Sequence, residues 1–291
     1  MDWINALLQG ILLGGLYALL ATGLSLVFGV MRLVNLAQGD LAILAAYVSL
    51  VIVSTTGISP FLTTAIVVPV MMIGGYLVQR TMLNRTVDQG PLPSLLLTFG
   101  LAVIIQNVLL DVFTADSRGL DAGAIENASL RVSDEISFGL FSLLTLIVAV
   151  AVLGGLSWML ASTQLGRALR AVSDDQAAAR IVGIDDRHLF AVAMAIAFGT
   201  VAVGGIFLGI RTTFGPVDGP AQLISAFEAV IIGGLGSLWG TLAGGIVLGV
   251  AQAFGNQISP TFQLLAGHLV FLTILLFRPR GLFARVGVRQ A

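Results

Sequence analysis

Three stretches almost free of charge, 3–30, 41–53 and 140–160, set the terms for everything else in this sequence. A helix needs roughly 20 apolar residues to cross a bilayer. Lipid offers the backbone no hydrogen bonds, so each such segment must satisfy its own peptide groups as a helix. Composition agrees. Of 291 residues, 57% are hydrophobic and 10% are charged, against about 25% charged in a soluble domain. The reading is an all-α integral membrane protein: one transmembrane domain over residues 1–291, a polytopic bundle of about eight to ten inserted helices.

Spans are expected at 3–29, 34–56, 60–79, 93–113, 138–161, 189–210 and 262–277. The segment 223–254 is too long for one simple crossing, and Gly233, Gly234 and Gly236 interrupt it. It reads as two helices or a re-entrant pair. No internal repeat is obvious. The first span lacks a basic leader and a small-residue cleavage site, so it is expected to be retained. Glycine is plentiful, with 35 residues. Pairs inside apolar runs, such as Gly14-Gly15 and Gly244-Gly245, mark close helix–helix contacts.

Short cytoplasmic loops collect positive charge. Arg80 and Arg85 follow the third span. Arg167, Arg170, Arg180 and Arg187 lie between the fifth and sixth, and Arg278, Arg280, Arg285 and Arg289 follow the last. These are expected in the cytoplasm. The loop 114–137 carries Asp116, Asp121, Glu126, Asp134 and Glu135 against Arg118 and Arg131, and is expected outside. Counting back places the N-terminus outside and the C-terminus inside. An odd number of crossings must then follow the sixth span.

Several functions are excluded. There is no cysteine, hence no thiolate metal site or cysteine nucleophile. The net charge of −1 suggests no nucleic-acid partner. All 14 basic residues are arginine, so the chain cannot contain a phosphate-binding loop, which needs its lysine. If ATP drives this protein, a partner hydrolyses it.

The loop 163–187 is the most informative polar segment. Ser173 and Gln176 match a capping box. Asp174 and Asp175 would occupy the first turn, favoured by the helix dipole, and Ala178 and its neighbours favour helix. Gly183 would end it. A helix over 174–182, with Arg180 on it, is too short to stand alone. It must pack on the membrane face or on a partner protein.

At this point the chain resembles the LivH-type permeases of ABC importers for branched-chain amino acids. The resemblance rests on G-L-Y-A-L-L-A-T-G-L-S-L-V-F-G-V-M-R-L-V-N-L-A-Q-G-D-L at 15–41 and G-R-A-L-R-A-V-S-D-D-Q-A-A-A-R-I-V-G-I-D at 166–185. It continues in F-E-A-V-I-I-G-G-L-G-S-L-W-G-T-L-A-G-G at 227–245 and F-R-P-R-G-L-F at 277–283, with L-T-F-G-L-A-V-I-I-Q-N at 97–107 in lesser agreement. Nearly the whole chain is covered in order. The resemblance implies a permease in a bacterial inner membrane, paired with a second, homologous permease. Two cytoplasmic ATP-binding subunits would carry ATP and Mg, leaving this chain without a cofactor. An extracytoplasmic binding protein would deliver branched-chain amino acids, urea, amides or aromatic acids. The helix at 174–182 would be the coupling helix, with Ser173, Asp174, Asp175, Gln176, Ala178, Arg180 and Gly183 at the ATPase contact.

Polar residues at membrane depth are functional candidates by default. Glu228 reads as a pathway or gating residue, or as a structural hydrogen-bonding group. Asn35, Gln38 and Asp40 are expected near the cytoplasmic side, lining the exit or capping the second span, with Asp40 close enough to Arg32 to pair. Gln106 and Asn107 could contact substrate or bond between helices. His268 stands alone in the last span, with no metal spacing around it. Competing classes are a stand-alone secondary transporter, a passive channel and a membrane enzyme. No nucleophile–base pair or metal cluster supports the last.

Overall fold

The computed structural model describes residues 2–133 and 136–283. Asp134, Glu135, Arg285 and Arg289, assigned above to the external loop and the tail, lie outside the described residues.

The chain opens with α1 (Asp2–Met31), α2 (Gln38–Thr56), α3 (Pro60–Thr81) and α4 (Pro91–Phe113). A short α5 (Ala124–Asn127) and a hairpin of β1 (Ser129–Ser133) and β2 (Ile136–Gly139) fill the next loop. The strands are antiparallel, with Ser129 opposite Gly139. Then come α6 (Leu140–Ser162), α7 (Gln164–Asp174), α8 (Gln176–Ile181) and α9 (Asp186–Arg211). The chain continues through α10 (Gly219–Gly233), α11 (Leu238–Ile258) and α12 (Phe262–Phe277). Among the described residues, seven helices are long and apolar enough to cross a membrane, and α10 and α12 are shorter apolar helices. Prolines at the first turns of α3 and α4 sit where their missing N–H is not needed.

The long segment 223–254 is two helices. Gly234 and Gly236 adopt left-handed φ values of 103° and 79°, and the Ser237 hydroxyl caps α11 by accepting from the Gly240 N–H. The first of the pair starts earlier than expected, at Gly219.

The second span also departs from its expected start at residue 34. After Met31 the chain runs through a non-helical link, with Arg32 at φ 53°, back into the bundle. The Gln38 amide donates to the Leu20 carbonyl at 3.1 Å, about 16 Å along α1 from Met31. Asn35, Gln38 and Asp40 therefore lie inside the protein, each about 1% exposed, and not at the end of the bundle where α1 stops.

This placement reveals an order that sequence comparison within the chain did not show. Helices α1 and α9 pack against each other, running in opposite directions. Each is followed by a link that turns inward, 32–37 and 212–218, and each link starts a helix in the protein interior. α3 lies along α9 as α11 lies along α1, and α2 meets α10. α1 with its link and α2, and α9 with its link and α10, thus follow the same order in opposite directions. Only the break positions and helix directions are shared, which leaves little trace in residue identities.

The α2 and α10 starts cross at Gly39 and Gly219. A Cβ on Gly39 would collide with the Gly219 carbonyl, and a Cβ on Gly219 with the Asp40 carboxylate. Gly10 and Gly14 of α1 meet Gly245 and Gly249 of α11 with similar closeness, the small-residue packing expected between membrane helices. α1 and α9 are the most enclosed of the spans. Followed helix by helix, Arg32, Arg80, Arg85, Arg167, Arg170, Arg180, Arg187, Arg278 and Arg280 fall at one end of the bundle.

Candidate functional site

At the crossing, Asp40 is a buried carboxylate in the first turn of α2. Its Oδ1 accepts from the Gln106 amide of α4 at 2.8 Å, and it lies against Gly219 at the start of α10. Arg32 is not its partner among the described contacts, so the expected pair is replaced. Two helix N-termini converge on the carboxylate, and their dipoles favour negative charge there. Nearby, Asn35 folds onto its own backbone, accepting from the Ala37 N–H at 3.0 Å. The Gln38 Oε1 is buried and has no hydrogen-bond partner. Asn107 does not join this group: it is exposed and donates back to the Val103 carbonyl of its own helix.

A second polar band crosses the helices α1, α10, α11 and α12. Glu228 is 3% exposed, and its Oε1 lies 2.5 Å from His268 Nδ1. Its Oε2 is buried without a partner. The Tyr17 hydroxyl donates to Gln252 Oε1, also at 2.5 Å, leaving the Gln252 amide nitrogen unpaired. Arg211 at the end of α9 reaches the Ser142 hydroxyl at 3.3 Å. The His268 side chain is 44% exposed, so the pair runs from the bundle interior to its surface on α12. Sequence reasoning found Glu228 and left His268 alone. The two are far apart in sequence, and only the packing of α10 on α12 joins them.

The loop 163–187 folds as two helices, not one. α7 ends at Asp174, and its Leu169 and Val172 pack against Leu26, Val30, Leu189 and Phe190. The expected cap is corrected. Ser173 lies inside the last turn of α7, where its hydroxyl donates to the Gly29 carbonyl at 2.7 Å, and is not at the N-cap position of α8. Asp174 closes α7 and is not in the first turn of α8. Asp175 caps α8 instead, accepting from the Ala178 N–H at 2.9 Å. Gly183 stops the helix as expected, with φ 85°. Its N–H donates to the Arg180 carbonyl, and the Ile184 N–H donates to the Ala179 carbonyl, a Schellman pattern. Gln176 and Arg180 both donate to Asp186 Oδ2, at 2.6 and 2.8 Å, tying α8 to the first residue of α9.

What α8 leaves outside is as informative as what holds it. Ala179 is its one buried residue. Ala178 is exposed, and Ile181 and Val182 are 86% and 75% exposed. Two large apolar side chains thus stand exposed as a knob at the end of a short capped helix.

The family model for the permease component of branched-chain amino acid transport systems matches residues 6–277. The chain belongs to this family. It is 26% identical over 308 residues to the high-affinity branched-chain amino acid transport system permease protein BraD of Pseudomonas aeruginosa, covering 99% of this chain and 98% of BraD. LivH of Escherichia coli K12, a permease of the same description, is 26% identical over 302 residues, covering 99% and 97%. LivM of the same organism, also described as a permease of that system, is 28% identical over 153 residues, covering 52% of this chain and 35% of LivM. No solved structure matches. As a multi-pass permease of this family, the chain needs a route for solute between its helices, and its interior polar groups are where that route can be sought.

Proposed function

We propose that this chain is the membrane-spanning permease of an ATP-driven importer for branched-chain amino acids or related small polar solutes. The observation that carries the proposal is the α8 knob. An element with Ile181 and Val182 in the open, locked to α9 through Asp186, is a handle by which an ATPase can move a core helix. Moving α9 moves the 212–218 link and α10, and with them Glu228.

Ser173 and Asp174 then belong to the support of this coupling element, and Asp175, Gln176, Ala178, Arg180 and Gly183 to the element itself. The arginine-rich end is the cytoplasmic end, in line with the positive-inside rule, with the N-terminus outside and the membrane a bacterial inner membrane. Two ATP-binding subunits dock there and hold ATP and Mg, so the permease carries no cofactor. A second homologous permease completes the pathway, and the similarity to both LivH and LivM supports a pair of related chains. A binding protein delivers solute from outside. Glu228 with His268, and Gln38, Asn35, Asp40 and Gln106 around the crossing, are the pathway candidates. Asn107 faces outward and is a candidate for the permease–permease contact. A stand-alone secondary carrier is disfavoured by the family.

The test is uptake of radiolabelled leucine into proteoliposomes holding this chain with its partners. Uptake that requires ATP and the binding protein is expected. Uptake by this chain alone, without ATP, would overturn the proposal.

A further inference from the structure

We propose that a groove between α1, α6, α7 and α11, at the arginine-rich end, binds the phosphate headgroup of an anionic phospholipid. This inference needs only that the chain spans a membrane. It does not depend on the transport reading.

The groove encloses about 340 Å³. Ser25 of α1 lines it; the residue is fully buried, and its hydroxyl has no hydrogen-bond partner in the protein. A buried hydroxyl left unpaired is costly, so a ligand oxygen is wanted there. Arg170 of α7 also lines the groove. One of its N–H groups donates to the Leu160 carbonyl, and a guanidinium has five. The N-terminus of α11, a helix of 21 residues, opens on the same space at Ser237 and Leu238. Ser237 takes the Gly240 N–H, and the N–H groups of the first turn before it, with the helix dipole, favour an anion there. Asp174 stands at the rim, where a second cleft begins. It is the sole carboxylate among the lining residues, and its charge opposes a highly charged ligand more than a phosphate diester with a single negative charge.

The position of the groove selects lipid over a soluble anion. Trp158 of α6 and Trp239 of α11 are 67% and 52% exposed. Exposed tryptophans mark the boundary between hydrocarbon and headgroups. Leu26 and Leu238 give the groove apolar wall against which an acyl chain can lie. Pockets between membrane helices with basic lining, on the cytoplasmic side, are where anionic headgroups are held. A headgroup seated here would hold α7 against α1, α6 and α11, and so fix the base from which α8 projects.

Brominated lipids quench nearby tryptophan, so the full-length protein can report directly. It would be placed in phosphatidylcholine nanodiscs with increasing fractions of brominated phosphatidylglycerol or brominated phosphatidylcholine. Half-maximal quenching is expected at about a five-fold lower fraction of the anionic lipid, the effect of one basic side chain at a membrane surface. Arg170→Gln should abolish the preference. Ala161→Phe, which fills the groove from α6 without changing charge, should abolish it too and covers the case in which Arg170→Gln misfolds. Inorganic phosphate should leave quenching unchanged. Equal quenching by both lipids, or a preference retained in Ala161→Phe, overturns the proposal. Relief of quenching by inorganic phosphate assigns the groove to a free anion and overturns it as well.

Discussion

A carboxyl group inside a membrane bundle persists only where other groups compensate it, and this chain has two solutions. Asp40 is met by the Gln106 amide and two helix starts. Glu228 is met by His268 alone, with one oxygen left bare. His268→Ala should therefore cost stability, about 1–3 kcal/mol for a newly unpaired buried group, read as a lower thermal midpoint in detergent. Glu228→Gln should be milder in stability yet reduce uptake, because it removes the ionisable carboxyl while keeping the shape. A Glu228→Gln protein with unchanged uptake would exclude the residue from the pathway. Gly39→Ala drives a methyl into the Gly219 carbonyl. Overpacking of that kind costs about 1–3 kcal/mol, and the variant should melt earlier. Glu228 was legible in the sequence because a charge in an apolar run stands out. Its partner was not, and neither was the pairing of Asp40 with Gln106 in place of Arg32, since helix–helix register joins residues without any local signal.

At the scale of elements, α8 is the part we propose to meet the ATPase. Asp186 holds it through Gln176 and Arg180. Asp186→Ala should leave the knob exposed but loosely attached. Solute moved per ATP should fall about five-fold, on the order of 1 kcal/mol for a partly exposed charged contact, while ATPase binding persists. Proportional loss of binding and transport would show that Asp186 supports docking and not transmission. The existence of this helix, its position and its glycine stop were readable from the sequence. The cap was not. The S-x-x-Q pattern fits a capping box, but α7 runs on through Ser173 to Asp174, so Asp175 is the residue at the N-cap of α8. The break near Gly234 was readable because two glycines there adopt conformations other residues disfavour. The inward link at 32–37 carries no such mark, and its path is set by the bundle around it.

For the whole molecule, two helix–link–helix units of opposite direction whose breaks meet at Gly39 and Gly219 suit a protein that opens alternately to its two sides. Apolar runs and arginine placement were enough to read a polytopic bundle and its expected orientation. The inversion needed three-dimensional packing to be seen. Because the chain lacks cysteine, orientation can be tested with single introduced thiols. Gly119→Cys, exposed in the loop before β1, should label with an impermeant maleimide in intact cells, and Ala178→Cys only in inside-out vesicles. The reverse pattern would invert the topology. The most direct test of the central claim is affinity capture of the tagged protein from mild detergent, with mass spectrometry of what accompanies it, for wild type and Ile181→Asp. The account predicts that wild type brings an ATP-binding subunit and a second permease, and that Ile181→Asp loses the ATP-binding subunit but keeps the permease. A chain that purifies alone and moves solute in liposomes without ATP would contradict it.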